Sequence, residues 1–119
     1  MVIDDEEAIL HVARGMLEHC GYRVITSNNC DEAVDIYRRE MPRIDGVLLD
    51  FSMPGASGFE VYEKLREING GVRVLLSSGL IQGVDIQRAR DMGILGFIQK
   101  PYVAESLSAM IKEILGNSA

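Results

Sequence analysis

Apolar positions along the chain fall into two patterns that alternate from one end to the other. Short, near-continuous aliphatic runs, Val47-Leu48-Leu49 above all, have the composition of strands buried on both faces. Between them lie longer segments in which apolar residues recur every three or four positions, the period of a helix with one buried side. The first such segment, about Glu7 to His19, puts Ile9, Val12, Ala13, Met16, Leu17 and Cys20 on one face, with Gly21 as the stop. Tyr22 to Thr26 reads as a β segment. Asn29 can cap a helix from roughly Asp31 to Glu40, which Pro42 closes. After Val47–Leu49 come a Pro54-Gly55 turn and a helix from about Gly58 to Ile68, ended by Gly70-Gly71. Arg73 to Ser77 is a fourth strand, about Asp85 to Met92 a shorter helix, Gly96 to Gln99 a fifth strand, and Val103 to Leu115 the last helix.

Five β/α units in strict alternation predict an α/β domain: a parallel sheet with right-handed crossovers and helices on both faces. No repeat, linker or low-complexity stretch interrupts the alternation, so residues 1–119 read as a single domain. The opening strand, Met1-Val2-Ile3, is shorter than the usual five or six residues. It points to a first strand truncated at its start, in a chain cut from a longer protein.

Composition narrows the function classes. With 47% hydrophobic and 25% charged residues, the chain has the balance of an ordinary globular domain. A formal charge of −6 argues against direct nucleic-acid binding, which needs a clustered basic face. No apolar run has the length of a membrane span, and the start carries no export signal, so the expected location is cytoplasmic, without membrane contact. Two cysteines make neither a disulfide framework nor a metal cluster; Cys20 is expected as a small core residue, and Cys30 lies at a helix start.

The chemistry concentrates at strand ends, where ligands bind in open parallel sheets. Asp4 and Asp5 follow the first apolar run, Asp50 follows Val47-Leu48-Leu49, Ser78 follows Val74-Leu75-Leu76-Ser77, and Lys100 precedes Pro101. Two or three carboxylates around one small space repel each other unless a hard cation lies between them, and oxygen-only ligands suit Mg²⁺. Capping of the next helix is the simpler reading of Asp4 and Asp5, with Glu6 and Glu7 adding to its acidic first turn. Asp50 is costly to bury unless paired or metal-bound; it can be a metal ligand, a base, a nucleophile or a turn cap. Lys100 can hold a phosphoryl oxygen as a point charge, or it can be a surface lysine packed on Ile98. Ser77 and Ser78 compete as the hydroxyl donor.

Four motifs in order carry a resemblance along nearly the full chain: Val2-Ile3-Asp4-Asp5-Glu6, Asp50-Phe51-Ser52-Met53-Pro54-Gly55-Ala56-Ser57-Gly58, Leu75-Leu76-Ser77-Ser78-Gly79, and Gly96-Phe97-Ile98-Gln99-Lys100-Pro101. The chain resembles a response-regulator receiver domain, the phosphoacceptor module of two-component signalling. The resemblance implies a doubly wound, five-stranded parallel sheet in the flavodoxin-like order 2-1-3-4-5. It implies that Asp50 takes a phosphoryl group from a phosphohistidine on a kinase or phosphotransfer protein. Asp5 and Asp50 would bind Mg²⁺, Asp4 would ligate it through water, and the Ser52 backbone carbonyl would complete the set. Ser78 is preferred over Ser77 because the small Gly79 follows it. Lys100 would pair with the phosphoryl group, and the Lys100-Pro101 peptide would be cis. Phe97 matches an aromatic switch position that moves with Ser78. On the first helix, Leu10 and Gly15 are candidate contacts for the phosphohistidine donor, with Leu10 read as off the core stripe.

Departures qualify the resemblance. Phe97 lacks a hydroxyl, so any switching is read out through packing alone. Leu80 cannot orient an attacking water, and slow self-dephosphorylation is expected. An aspartyl-phosphate phosphatase would carry a second Asp two residues after the nucleophile, where Ser52 stands. A flavin module would want a hydroxyl-rich phosphate loop, where Asp4-Asp5 would repel the phosphate. A degenerate receiver acting only as an interaction module is the remaining alternative. His11 and His19 are not followed by the acidic residue expected of a phosphodonor histidine, and they read as solvent-facing. The Leu75-Leu76-Ser77-Ser78-Gly79 stretch leans toward the receiver of a hybrid sensor histidine kinase; the output partner is not written in the chain.

Overall fold

The computed structural model describes residues 1–79 and 83–115, the side chain of Val84 excepted. Its elements are β1 (Val2–Ile3), α1 (Glu7–His19), β2 (Thr26–Ser27), α2 (Cys30–Glu40), β3 (Val47–Asp50), β4 (Ser52–Met53), β5 (Ala56–Ser57), α3 (Gly58–Ile68), β6 (Val74–Ser78), α4 (Gly83–Met92), β7 (Gly96–Gln99) and α5 (Ala104–Ile114). A single 3₁₀ turn, Met41–Arg43, follows α2, with Pro42 inside it. Five strands form one parallel sheet in the order β2-β1-β3-β6-β7. Counting these five alone, the order is the expected 2-1-3-4-5.

Strand alternation divides the aliphatic runs between two cores. Val2, Leu48, Leu75 and Ile98 face α1 and α5, where they meet Leu10, Ala13, Leu17, Leu107 and Ile111. Ile3, Val47, Leu49, Val74 and Leu76 face the other way, onto Tyr37, Phe59, Tyr62, Leu65 and Ala89 of α2, α3 and α4. This is why Val47–Leu49 of β3 and Val74–Leu76 of β6 are unbroken aliphatic runs: a parallel sheet covered on both sides has no solvent face.

Capping fixes where the helices begin. Asn29 Oδ1 accepts the Glu32 N–H at 2.8 Å at the start of α2, as the sequence predicts. Ser57 Oγ does the same for Glu60 at 3.3 Å at the start of α3. The Pro54-Gly55 turn closes a two-residue hairpin between β4 and β5, with Gly55 at φ +87°, the conformation a type II turn asks of its third residue. The hairpin has no periodic signal and is visible only in the fold.

Three expectations need correction. The buried side of α1 is Leu10, Ala13 and Leu17, with Ile9 and Met16 only half-buried at its edge. Val12 is 44% exposed and Leu10 only 5%. Apolar residues cover more than half the circumference of this helix, so periodicity leaves its rotation open; packing against α5 and the Val2–Leu48 face selects the Leu10 side. Cys20 is exposed, its Sγ 3.6 Å from Ser108 Oγ, and is not a core residue. The second strand is shorter and later than Tyr22–Thr26, because β1 offers only Val2 and Ile3 as partners; the ladder reaches Thr26, Ser27 and the Ile25 carbonyl.

Candidate functional site

Parallel pairing brings the strand ends together. Ile3 is in register with Leu49, Asp50 with Ser77, and Ser78 with Gln99, so Asp4, Asp50, Ser78 and Lys100 reach the same edge of the sheet. There the Lys100 ammonium lies 2.6 Å from Asp4 Oδ2 and 3.2 Å from Asp50 Oδ1. Asp4 is fully buried and Asp50 is 4% exposed, whereas Asp5 is open to solvent. One oxygen from each of the three carboxylates lies within 4.8 Å of the others.

Each buried carboxylate also serves the local backbone. Asp4 Oδ1 accepts the Glu6 N–H at 3.0 Å, and Asp50 Oδ1 accepts the Ser52 N–H at 3.4 Å. The turn-capping reading is therefore half right: one oxygen holds the turn while the acid faces a shared mouth. Glu6, the N-cap of α1, makes no side-chain cap of its own.

The electrostatics follow from burial. Desolvation, then the neighbouring Asp4 charge, pushes the Asp50 carboxyl above the usual carboxylate range, against the opposing pull of Lys100. Burial alone would lower the Lys100 pKa, but its contacts with Asp4 and Asp50 outweigh it, and the net shift is upward. Three carboxylates against one ammonium leave two negative charges to balance. Asp4 Oδ2 is buried and, although close to Lys100, has no well-directed hydrogen bond. A hard divalent cation fits this donor set in both charge and ligand chemistry.

The two serines separate clearly. Ser77 Oγ is fully buried and accepts the Tyr102 hydroxyl at 2.9 Å, which commits it to the packed interior. Ser78 is the last residue of β6, and its carbonyl accepts the Lys100 N–H at 2.9 Å. The Lys100-Pro101 peptide is cis. Phe97 is half-buried, with its ring 6.0 Å edge-on from Phe51, which in turn stacks edge-on against Phe59 at 5.0 Å. Tyr102 and Phe51 were not singled out by the sequence reading; a tyrosine two residues after the strand-end lysine was the available signal for the first.

The other expected positions lie either beside this edge or elsewhere in the fold. Leu10 points into the core and is not available to a docking partner, while Gly15 lies exposed on α1. Ser52 is exposed in the hairpin beside Asp50. His11 and His19 are exposed. Leu80 lies outside the described residues. Among the described residues, no helix is long and apolar enough to cross a membrane.

Residues 1–112 match the sequence profile of the response regulator receiver domain. The chain is 32% identical over 115 residues to a probable transcriptional regulator, ycf27, of Porphyra purpurea, covering 97% of this chain and 46% of that protein. It thus spans about half the length of the first curated relatives it matches. It is also 27% identical to sporulation initiation phosphotransferase F of Bacillus subtilis, over 97% of this chain and 91% of that one. A response regulator receiver domain protein from Clostridium thermocellum superposes with a TM-score of 0.91 at 28% identity, covering 98% of this chain and 92% of the other. By profile and by fold, the chain belongs to the response-regulator receiver domains of two-component signalling.

Proposed function

We propose that the domain is a working phosphoacceptor, with Asp50 taking a phosphoryl group from a phosphohistidine on a kinase or phosphotransfer protein. The carrying observation is the junction of Asp4, Asp50 and Lys100 within ion-pair distance at one sheet edge. A carboxylate oxygen of Asp50 attacks phosphorus in line, an O–P bond forms, and the electrons of the N–P bond return to the departing imidazole. The Lys100 ammonium neutralises an equatorial phosphoryl oxygen, and the Ser78 hydroxyl donates to another. Asp5, Asp50 and the Ser52 carbonyl would hold Mg²⁺, with Asp4 ligating through water; the ion would supply charge neutralisation for the transferred group. Ser78 then moves toward the phosphoryl oxygens and Phe97 repacks, shifting an existing equilibrium between two conformations.

An interaction-only receiver would have no need for the buried acids and lysine retained here, each of which costs energy to desolvate. The Leu75-Leu76-Ser77-Ser78-Gly79 stretch supports the further reading that this receiver is part of a hybrid sensor histidine kinase acting in the cytoplasm. Incubation with a small phosphodonor, with and without Mg²⁺, tests the chemistry. A phosphoryl-sized mass increment is expected only with Mg²⁺ and only when Asp50 is present. Equal modification of Asp50→Asn would sink the assignment.

A further inference from the structure

Tyr102 lies two residues beyond Lys100, and its hydroxyl donates to Ser77 Oγ at 2.9 Å inside the fold. Ser77 is in register with Asp50 on one side and Ile98 on the other, so this bond is anchored one strand away from the proposed nucleophile. The next residue of β6, Ser78, accepts the Lys100 backbone N–H at 2.9 Å. The segment Lys100-Pro101-Tyr102 is thus fastened twice to the end of β6, by backbone at its start and by a side chain at its end. From between these fasteners Lys100 extends its ammonium to Asp4 and Asp50, with its side chain only 14% exposed.

The ring of Tyr102 packs with Leu107 and Ile98 in the α1/α5 core, a role phenylalanine could fill equally well. A buried phenol without a partner would be destabilising, so the hydroxyl is explained by its bond to Ser77 and not by packing. Burial also raises the phenol pKa, which keeps the group a donor.

We propose that Tyr102 is a positioning residue for Lys100: its bond to Ser77 holds the Lys100-Pro101 segment against β6, so that the ammonium stays between Asp4 and Asp50. The consequence for phosphoryl transfer rests on the phosphoacceptor reading; the geometric claim does not. Tyr102→Phe and Ser77→Ala remove the same bond from opposite ends, so either serves if the other does not fold. In the full chain, the side-chain NMR signals of Lys100 are expected to move in both variants. Phosphorylation by a small phosphodonor in Mg²⁺ is expected to slow on the order of tenfold in each. The double variant should be no slower than either single one, and Tyr102→Phe should have no further effect when Lys100 is already alanine. Unchanged Lys100 signals in a folded variant overturn the positioning claim. Moved signals with an unchanged rate overturn its catalytic consequence. If the native chain is not phosphorylated at all, the phosphoacceptor reading falls, while the Lys100 signals still decide the positioning.

Discussion

Asp50 shows how one side chain can serve the site at the expense of the fold. Its carboxyl is raised by burial and by Asp4, so the native state binds a proton more tightly than the unfolded chain does. By linkage, stability contributed by this group is full below the unfolded carboxylate pKa and declines as pH rises through the raised native value. Asp50→Asn should therefore melt higher than the native chain at neutral pH without divalent ions. The difference should shrink as pH falls into the carboxylate range, and thermal melts across pH measure it. Lys100→Ala acts in the opposite direction. It leaves Asp4 buried without its counter-charge, and a loss of about 3 kcal/mol is expected in metal-free buffer.

At the scale of elements, helix starts decide how the strand ends are presented. Asn29→Ala removes the Oδ1 acceptor that caps α2 and should cost about 1 kcal/mol in a denaturant melt. The start of α3 is more constrained. A Cβ on Gly58 would lie 3.0 Å from both the Phe51 Cα and Leu76 Cδ2, so an alanine there requires the Phe51 backbone to give way by a few tenths of an ångström. Gly58→Ala should destabilise by about 1–3 kcal/mol, and because the intruding atom presses on the residue beside Asp50, phosphorylation should slow as well. A variant as stable and as reactive as the native chain would show that the α3 approach does not matter. Helix α4 is tied at its far end by the Tyr62 hydroxyl and Arg66, which both donate to the Met92 carbonyl, and by Arg88 lying 4.5 Å over the Phe59 ring. The Phe97–Phe51–Phe59 contacts therefore connect the site edge to the helix beyond it.

For the whole molecule, the polarity of the helices matters. Each of the five begins with an acid in its first turn and ends with a base in its last, in keeping with the helix dipole. In a parallel α/β fold the helices start where the strands end, so this pattern makes the site edge acidic, a field that draws in cations. Mg²⁺ binding to the folded state alone should raise its stability by about 2.7 kcal/mol at a hundredfold excess over Kd. A calorimetric titration against Tm would check this, and Asp5→Asn should reduce the effect sharply. A Tm insensitive to Mg²⁺ up to millimolar concentration would rule out the metal site.

The sequence by itself determined the class of fold and which strand ends carry acidic, hydroxyl and basic residues. Unbroken runs such as Val47–Leu49 and Val74–Leu76 require a sheet covered on both faces, and the polar residues that end such strands then meet at its carboxyl edge. It did not determine the rotation of α1, because Ile9-Val12-Met16 and Leu10-Ala13-Leu17 are equally good apolar lines until α5 is packed against one of them. Nor could it choose between Ser77 and Ser78 by residue type, since both are hydroxyls at one strand end. Only the tertiary structure decided that Ser77 is bound to Tyr102, that one oxygen each of Asp4 and Asp50 holds a turn, and that Lys100 lies between them. Those outcomes depend on distances between segments remote in sequence, which local pattern does not encode.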